Sequence, residues 1–201
     1  MVEADARMID LVFDLGGEAL SAGYPFALWA ELVRHVPQLA DDTAAGVLPL
    51  RTAESGDAML LPKRAKLVLR LPQALAGHAV ALSGRQLDVG DGVLRLGTGK
   101  LREIQPHVTL QAQLVAGADD EIEFMKVVAA ELAAMGIEGN LICGMRRSLS
   151  DGQRTIHGYG LVIHDLRPEE SLRLQCTGLG ADRHLGCGIF IPYKVISGLD
   201  W

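Results

Sequence analysis

The chain has 201 residues, 49% of them hydrophobic and 22% charged, which supports a real core in one large or two small domains and excludes a disordered chain. Its net charge of −6 argues against a general nucleic-acid binder, and no apolar run reaches the roughly 18 residues that span a bilayer. Three cysteines, Cys143, Cys176 and Cys187, are odd in number and form no C-x-x-C, so neither a disulfide framework nor a metal site is expected.

The acidic opening, residues 1–7, is unlike a signal peptide, and a cytoplasmic location without membrane contact is expected. Residues 8–14 alternate apolar and polar side chains and predict a half-buried strand, broken at Gly16-Gly17. Pro25 suits a first helical turn. Phe26, Leu28, Trp29, Leu32, Val33 and Val36 then recur at helical spacing until Pro37 stops them. Residues 47–51 and 59–61 predict two short strands around a turn at 54–57, with Pro49 placing the first at an edge.

Residues 66–71 alternate basic and apolar side chains as a strand. A short helix at 72–79 and strands at 86–89 and 93–96 follow, the last two joined at Asp91-Gly92. Residues 63–118 hold eight basic and three acidic side chains. These basic residues, among them Lys63, Arg64, Lys66 and Arg70, are either a local anion-binding face or solvated edges that resist aggregation.

A second series begins at residues 108–115, the cleanest alternation in the chain. A helix opens at Asp119-Asp-Glu, acids at its positive end, and Gly136 ends it. Strands at 140–145 and 156–163 form a hairpin with Arg146, Arg147 and Arg154 at its tip. Pro168 starts another helix. Gly178, Gly180, Gly186 and Gly188 follow, with Arg183 and His184 between them. Such a loop suits a polyanion, because bare backbone N–H groups and cationic donors can reach phosphate; a connector with nothing bound is the alternative. A strand at 189–191 closes the series.

The order strand–helix–strand–strand–helix–strand therefore occurs twice. The expected fold is α+β, two tandem ferredoxin-like (βαββαβ) modules, with the glycine-rich loop in the second. The modules are expected over residues 1–104 and 105–201.

That arrangement resembles the repeat-associated RNA-binding (RAMP) superfamily, and within it the CRISPR repeat-processing endoribonucleases of the myxan type. The resemblance is carried by Asp10-Leu-Val-Phe13, Ala27-Leu-Trp-Ala-Glu-Leu32, and Glu170-Ser-Leu-Arg-Leu-Gln175 leading into Gly178-Leu-Gly-Ala-Asp-Arg-His-Leu-Gly-Cys-Gly-Ile-Phe190. It implies metal-independent cutting of repeat RNA into guide RNA. The 2′-hydroxyl attacks the adjacent phosphate, leaving a 2′,3′-cyclic phosphate, and the product is retained. It implies no cofactor, repeat or guide RNA as partner, and other effector-complex subunits as further partners.

The family places a general base, often histidine, in or near the first helix. Similar proteins carry Asp-His-Gly-Tyr before it; this chain has Gly23-Tyr-Pro-Phe26, with Tyr24 at the expected histidine. A tyrosine with an ordinary pKa near 10 is a poor base at neutral pH. His35, at the end of the same helix, is the first candidate base, with a favourable helix-dipole contact as its alternative reading. His184 is the second. Candidate RNA contacts are Lys63, Arg64, Arg146, Arg147, Arg154, Gly178, Gly180, Arg183, His184, Gly186 and Gly188. Phe26 and Trp29 fit an apolar helix face. Two rival readings remain open: a non-catalytic RNA-binding subunit of the same assembly, and a ferredoxin-like protein that binds a small anion or another protein.

Overall fold

The computed structural model describes residues 7–55, 58–90 and 92–193. Trp201 and part of the 54–57 turn lie outside them. The first half contains β1 (Met8–Gly16), β2 (Ala19–Ser21), α1 (Tyr24–His35), β3 (Gly46–Val47), β4 (Ala53–Ser55), β5 (Ala58–Leu60) and β6 (Lys66–Pro72). It continues with α2 (Gln73–Ala79), β7 (Gln86–Asp88), β8 (Val93–Leu96) and β9 (Lys100–Arg102). The second half contains β10 (Leu110–Ala116), α3 (Glu121–Ala134), β11 (Asn140–Ser150), β12 (Thr155–His164), α4 (Pro168–Thr177) and β13 (Ile191–Pro192).

Each half folds as a ferredoxin-like module. The second sheet has the order β11-β12-β10-β13, with α3 and α4 as its two crossover helices. In the first, β3, β6 and β1 are neighbours and β9 pairs with the other edge of β1. The β7–β8 hairpin is joined to the end of β1, where Leu15 pairs with Leu96. A separate small sheet, β2-β5-β4, is inserted beside them.

The helices start and stop for local reasons. Pro25 lies in the first turn of α1, and the helix ends immediately before Val36-Pro37. The Asp120 side chain accepts from the Glu123 N–H at the start of α3, with Glu121 and Glu123 in the first turn; this joins side-chain capping to a favourable dipole contact. Glu170 closes a reciprocal box at the start of α4, where its carboxylate accepts from the Arg167 N–H and guanidinium. Those donors hold the Glu170 carboxyl down at about 2.

Two expectations are corrected here. Residues 47–51 do not form the hairpin partner of 59–61: β4 pairs with β5, and β3 pairs instead with β6 at the edge of the main sheet. The last strand is also shorter than expected. Ile189 and Phe190 are buried ahead of the two-residue ladder at Ile191–Pro192, with Phe190 in the core of the second module and its carbonyl taken by Arg70 of the first.

Each module has its own apolar core. Leu11, Phe13, Leu28, Leu32, Leu67, Leu69 and Leu94 fill the first; Leu110, Phe124, Leu132, Leu161, Ile163, Leu174 and Phe190 fill the second. A third cluster bridges them. Leu114, Ile156, Leu185 and Cys187 meet Phe26 and Trp29 of α1 and Leu149 of β11. Phe26 and Trp29 are therefore packing residues. No described helix is long and apolar enough to cross a membrane.

Candidate functional site

The bridge between modules contains an ion pair that the strand pattern hides. Asp10 and Arg70 are directly opposite on β1 and β6 and both are 2% exposed. Arg70 donates Nε and Nη2 to the two Asp10 carboxylate oxygens at 2.8 and 3.1 Å. Its Nη1 donates to the carbonyl of Phe190 at 2.7 Å and of Gln175 at 3.4 Å. One guanidinium thus joins the first sheet to the end of α4 and to the close of the glycine loop. The expectation that Arg70 belongs to an exposed basic face is overturned by this burial.

The glycine loop is held by the same junction. Arg183 is buried; its Nε donates to Ala44 O at 2.7 Å and its Nη2 to Gln175 O at 3.2 Å. Burial, with Arg70 beside it, pulls its pKa down to about 10, so it remains charged at neutral pH. Gln175 lies near the C-terminal end of α4, where exposed carbonyls attract cations. Arg183 therefore points inward and offers its guanidinium to carbonyls, not to the surface.

Gly178, Gly180, Gly186 and Gly188 all have positive φ. At Gly188 a Cβ would stand 1.8 Å from Leu179 O, and its N–H donates to Leu114 O at 2.7 Å. Here glycine is demanded by the backbone folding on itself. At Gly186 the added atom would meet Val47 O of β3 at 3.0 Å. The loop is wedged between β3 of one module and β10 of the other.

Beside this wedge, at the N-terminal end of α1, a cleft of about 680 Å³ opens between the modules. Tyr24, Pro25, Pro49, Met59, Gln113 and Arg147 line it, with Ser148 and the loop residues Leu185–Cys187. A double β-bulge sets its chemistry. The register shifts by one residue between Cys143 and Arg146 on β11, and again between Ala112 and Val115 on β10, both against the same part of β12. A bulge reverses which side chains face which side of the sheet. Arg146 comes opposite Tyr159, on the α3 side, and Arg147 comes opposite Gly158, on the cleft side.

The three hairpin arginines consequently part. Arg146 pairs with Asp119 at 2.7 Å and Arg154 with Asp182 at 2.6 Å. Arg147 is exposed and is the only cation lining the cleft among the described residues. Arg146 and Arg147 sit within the strand, not at the tip. The turn at 151–154 is closed by the Asp151 carboxylate, which accepts from the Gln153 and Arg154 N–H groups. That tip leans on the entrance to α1: a Cβ on Gly23 would stand 2.8 Å from Ser150 O.

Tyr24 lines the cleft but is buried, and its hydroxyl accepts from the Leu50 N–H at 3.0 Å. Burial pushes its phenol up, which removes it further from base duty. Cys187 is likewise buried and its thiol is pushed up to about 12, so no thiolate is available. His35 sits eleven residues along α1 from Tyr24, about 16 Å down the helix axis. There its Nε2 is 3.7 Å from Glu31 Oε2 and 3.0 Å from Arg34 Nη2. His184 packs on Trp29, ring centroids 5.4 Å apart, and burial lowers its pKa. Neither histidine lines the cleft. Lys63 and Arg64 face a different hollow on the first module.

Sequence reading missed Gln113, Ser148 and Met59 as cleft residues. Gly144, Gly158 and Gly160 were the available signals, because glycines inside paired strands mark bulges.

A family model described as Cas6 Crispr matches residues 9–195. The CRISPR-associated endonuclease Cas6 of Myxococcus xanthus is 32% identical over 186 residues, spanning 92% of this chain and 81% of that protein. Among solved structures, a Cas6-related protein from Pyrococcus furiosus superposes with a TM-score of 0.68 at 12% identity, covering 96% of this chain and 100% of that one. A RAMP protein described as binding different RNA substrates gives 0.64 at 11% identity, covering 90% and 98%. These last two establish the shared tandem fold, and the matches over nearly the full chain establish the lineage: this chain belongs to the Cas6 family.

Proposed function

We propose that this chain is an endoribonuclease that cuts CRISPR repeat RNA in the cleft at the start of α1, without a metal ion, and keeps the product. The carrying observation is the cleft itself, with Arg147, its one cation among the described residues, set beside the glycine loop. Membership of the Cas6 family and the 32% identity to an endonuclease support it. In the reaction the ribose 2′-oxygen attacks the adjacent phosphorus and the P–O5′ bond breaks. The 2′ proton passes to solvent, and water protonates the departing 5′-oxygen. A 2′,3′-cyclic phosphate and a 5′-hydroxyl result.

Arg147 supplies positive charge where the phosphorane gathers negative charge. Gln113 and Ser148 offer neutral donors, and Pro25, Pro49 and Met59 hold the flanking nucleotides. With Tyr24 buried and no histidine lining the cleft, rate enhancement rests on positioning and electrostatics.

A labelled repeat hairpin incubated in EDTA should be cut to a cyclic-phosphate end. The single-turnover rate should rise with pH in a straight logarithmic line, because hydroxide does the work of a base. An inflection in the profile that disappears in His35→Ala or His184→Ala would replace this reading with a histidine base. Tight binding without any cutting would favour the second reading, a non-catalytic RNA-binding subunit, for which the buried Tyr24 hydroxyl is the supporting observation.

A further inference from the structure

A second concavity, of about 380 Å³, opens on the first module. The end of β1, the turn before β6 and the β8 strand form its walls. Lys63, Arg64, Lys66 and Arg95 face a single carboxylate there, Asp14. Asp14 is already engaged by Lys66, which holds its carboxyl below the usual range. Among the described residues, Lys63, Arg64 and Arg95 have no carboxylate partner. On a chain of net charge −6, this hollow is a local reversal of sign.

We propose that the hollow is a second RNA site, which holds the sugar–phosphate backbone of the single-stranded flank of the transcript cut in the cleft. The inference rests on the RNA-processing reading for the identity of that transcript, and on the hollow's own chemistry for its class of ligand. Strand β5 connects the two places. Ala58 and Met59 line the cleft and Lys63 lines the hollow. Lys63 lies four positions after Met59, so their Cα atoms are at most about 14 Å apart, a span of a few nucleotides.

The hollow fits phosphate better than a protein surface. Its apolar floor, Leu15 and Leu96, is only 6% and 5% exposed, so it presents no anchor of the kind that dominates protein interfaces. Charge without apolar anchors or base-reading geometry suits backbone contacts that position a strand regardless of sequence.

The test uses an oligouridine of a dozen nucleotides, which contains no repeat to be recognised. The triple variant Lys63→Gln, Arg64→Gln, Arg95→Gln removes three exposed cations and should melt with the wild type. Its Kd for oligouridine at 0.1 M salt should rise about tenfold, and the slope of log K against log salt should become shallower by about 2. Lys126→Gln, on α3, should leave both unchanged. A Kd and slope equal to those of the wild type overturn the proposal, whether the hollow holds an acidic protein or oligouridine is not bound at all. If the hairpin is not cut but oligouridine binding still depends on the three cations, the cleavage reading falls and this site stands.

Discussion

Arg147→Ala is expected to lower the single-turnover cleavage rate of a repeat hairpin about a hundredfold while changing its Kd by only a few-fold. The magnitude is that of removing one preorganised donor from a developing oxyanion. The split between rate and affinity follows from geometry. Arg147 is the only cation in the cleft among the described residues, whereas binding draws on phosphate contacts spread over a wider surface. Arg147→Lys should recover part of the rate, since the charge returns without the planar fork. Arg146→Ala should do little to the rate, because Arg146 faces Asp119 across the opposite side of the sheet. A rate loss in Arg146→Ala equal to that in Arg147→Ala would show that the two act as a general charge, and the placement of the reacting phosphate would be wrong.

Arg70→Ala should destabilise the protein by about 3–5 kcal/mol, the cost of leaving a buried charge without its partner. For a chain of this size that corresponds to a fall in Tm of roughly 10 °C. The variant strands Asp10, whose other partner, Arg102, is mostly exposed; it frees the carbonyl of Phe190 inside the junction and leaves that of Gln175 to Arg183 alone. The double change Arg70→Met with Asp10→Leu should recover much of the stability, since apolar groups of similar size replace buried pairs at little cost. It should not recover cleavage, because the tie from the first sheet to the glycine loop is gone. Urea unfolding of the three proteins measures the first effect; cleavage at a temperature where all are folded measures the second. If the double variant cuts as the wild type does, the ion pair sets stability alone.

Much of the architecture was legible. Pro25 and Pro37 bracket α1 because proline suits a first turn and forbids a helix interior. The alternation in residues 108–115 and the acids at 119–121 marked β10 and α3 for equally local reasons. Local rules end where the modules meet. Arg70 was read as outward because its strand alternates basic and apolar side chains, yet the second module covers that face. Arg183 looked like part of a ligand cradle, yet its guanidinium is taken by the carbonyls of Ala44 and Gln175. Both errors have one cause: a sequence pattern reports that a face is polar, but not that another domain will occupy it. The assignment of three arginines to one hairpin tip failed differently. Strand periodicity is counted from the last regular residue, and the bulge resets the count between Cys143 and Arg146.

That reset gives the hairpin an unusual kind of tolerance. The stretch Gly144-Met145 works as a one-residue spacer between a half of the hairpin that belongs to the core and a half that belongs to the cleft. Deleting Met145 should remove the extra residue and leave Arg146 opposite Tyr159 and Arg147 opposite Gly158, so that both arginines keep the sides they face. A single-codon deletion would therefore change the local twist of the hairpin, not the arginine it presents. Chemical cross-linking from the cleft to either arginine would report which one faces it. The spacer thus absorbs one residue of length while the side of the sheet taken by each arginine stays fixed by its partner on β12.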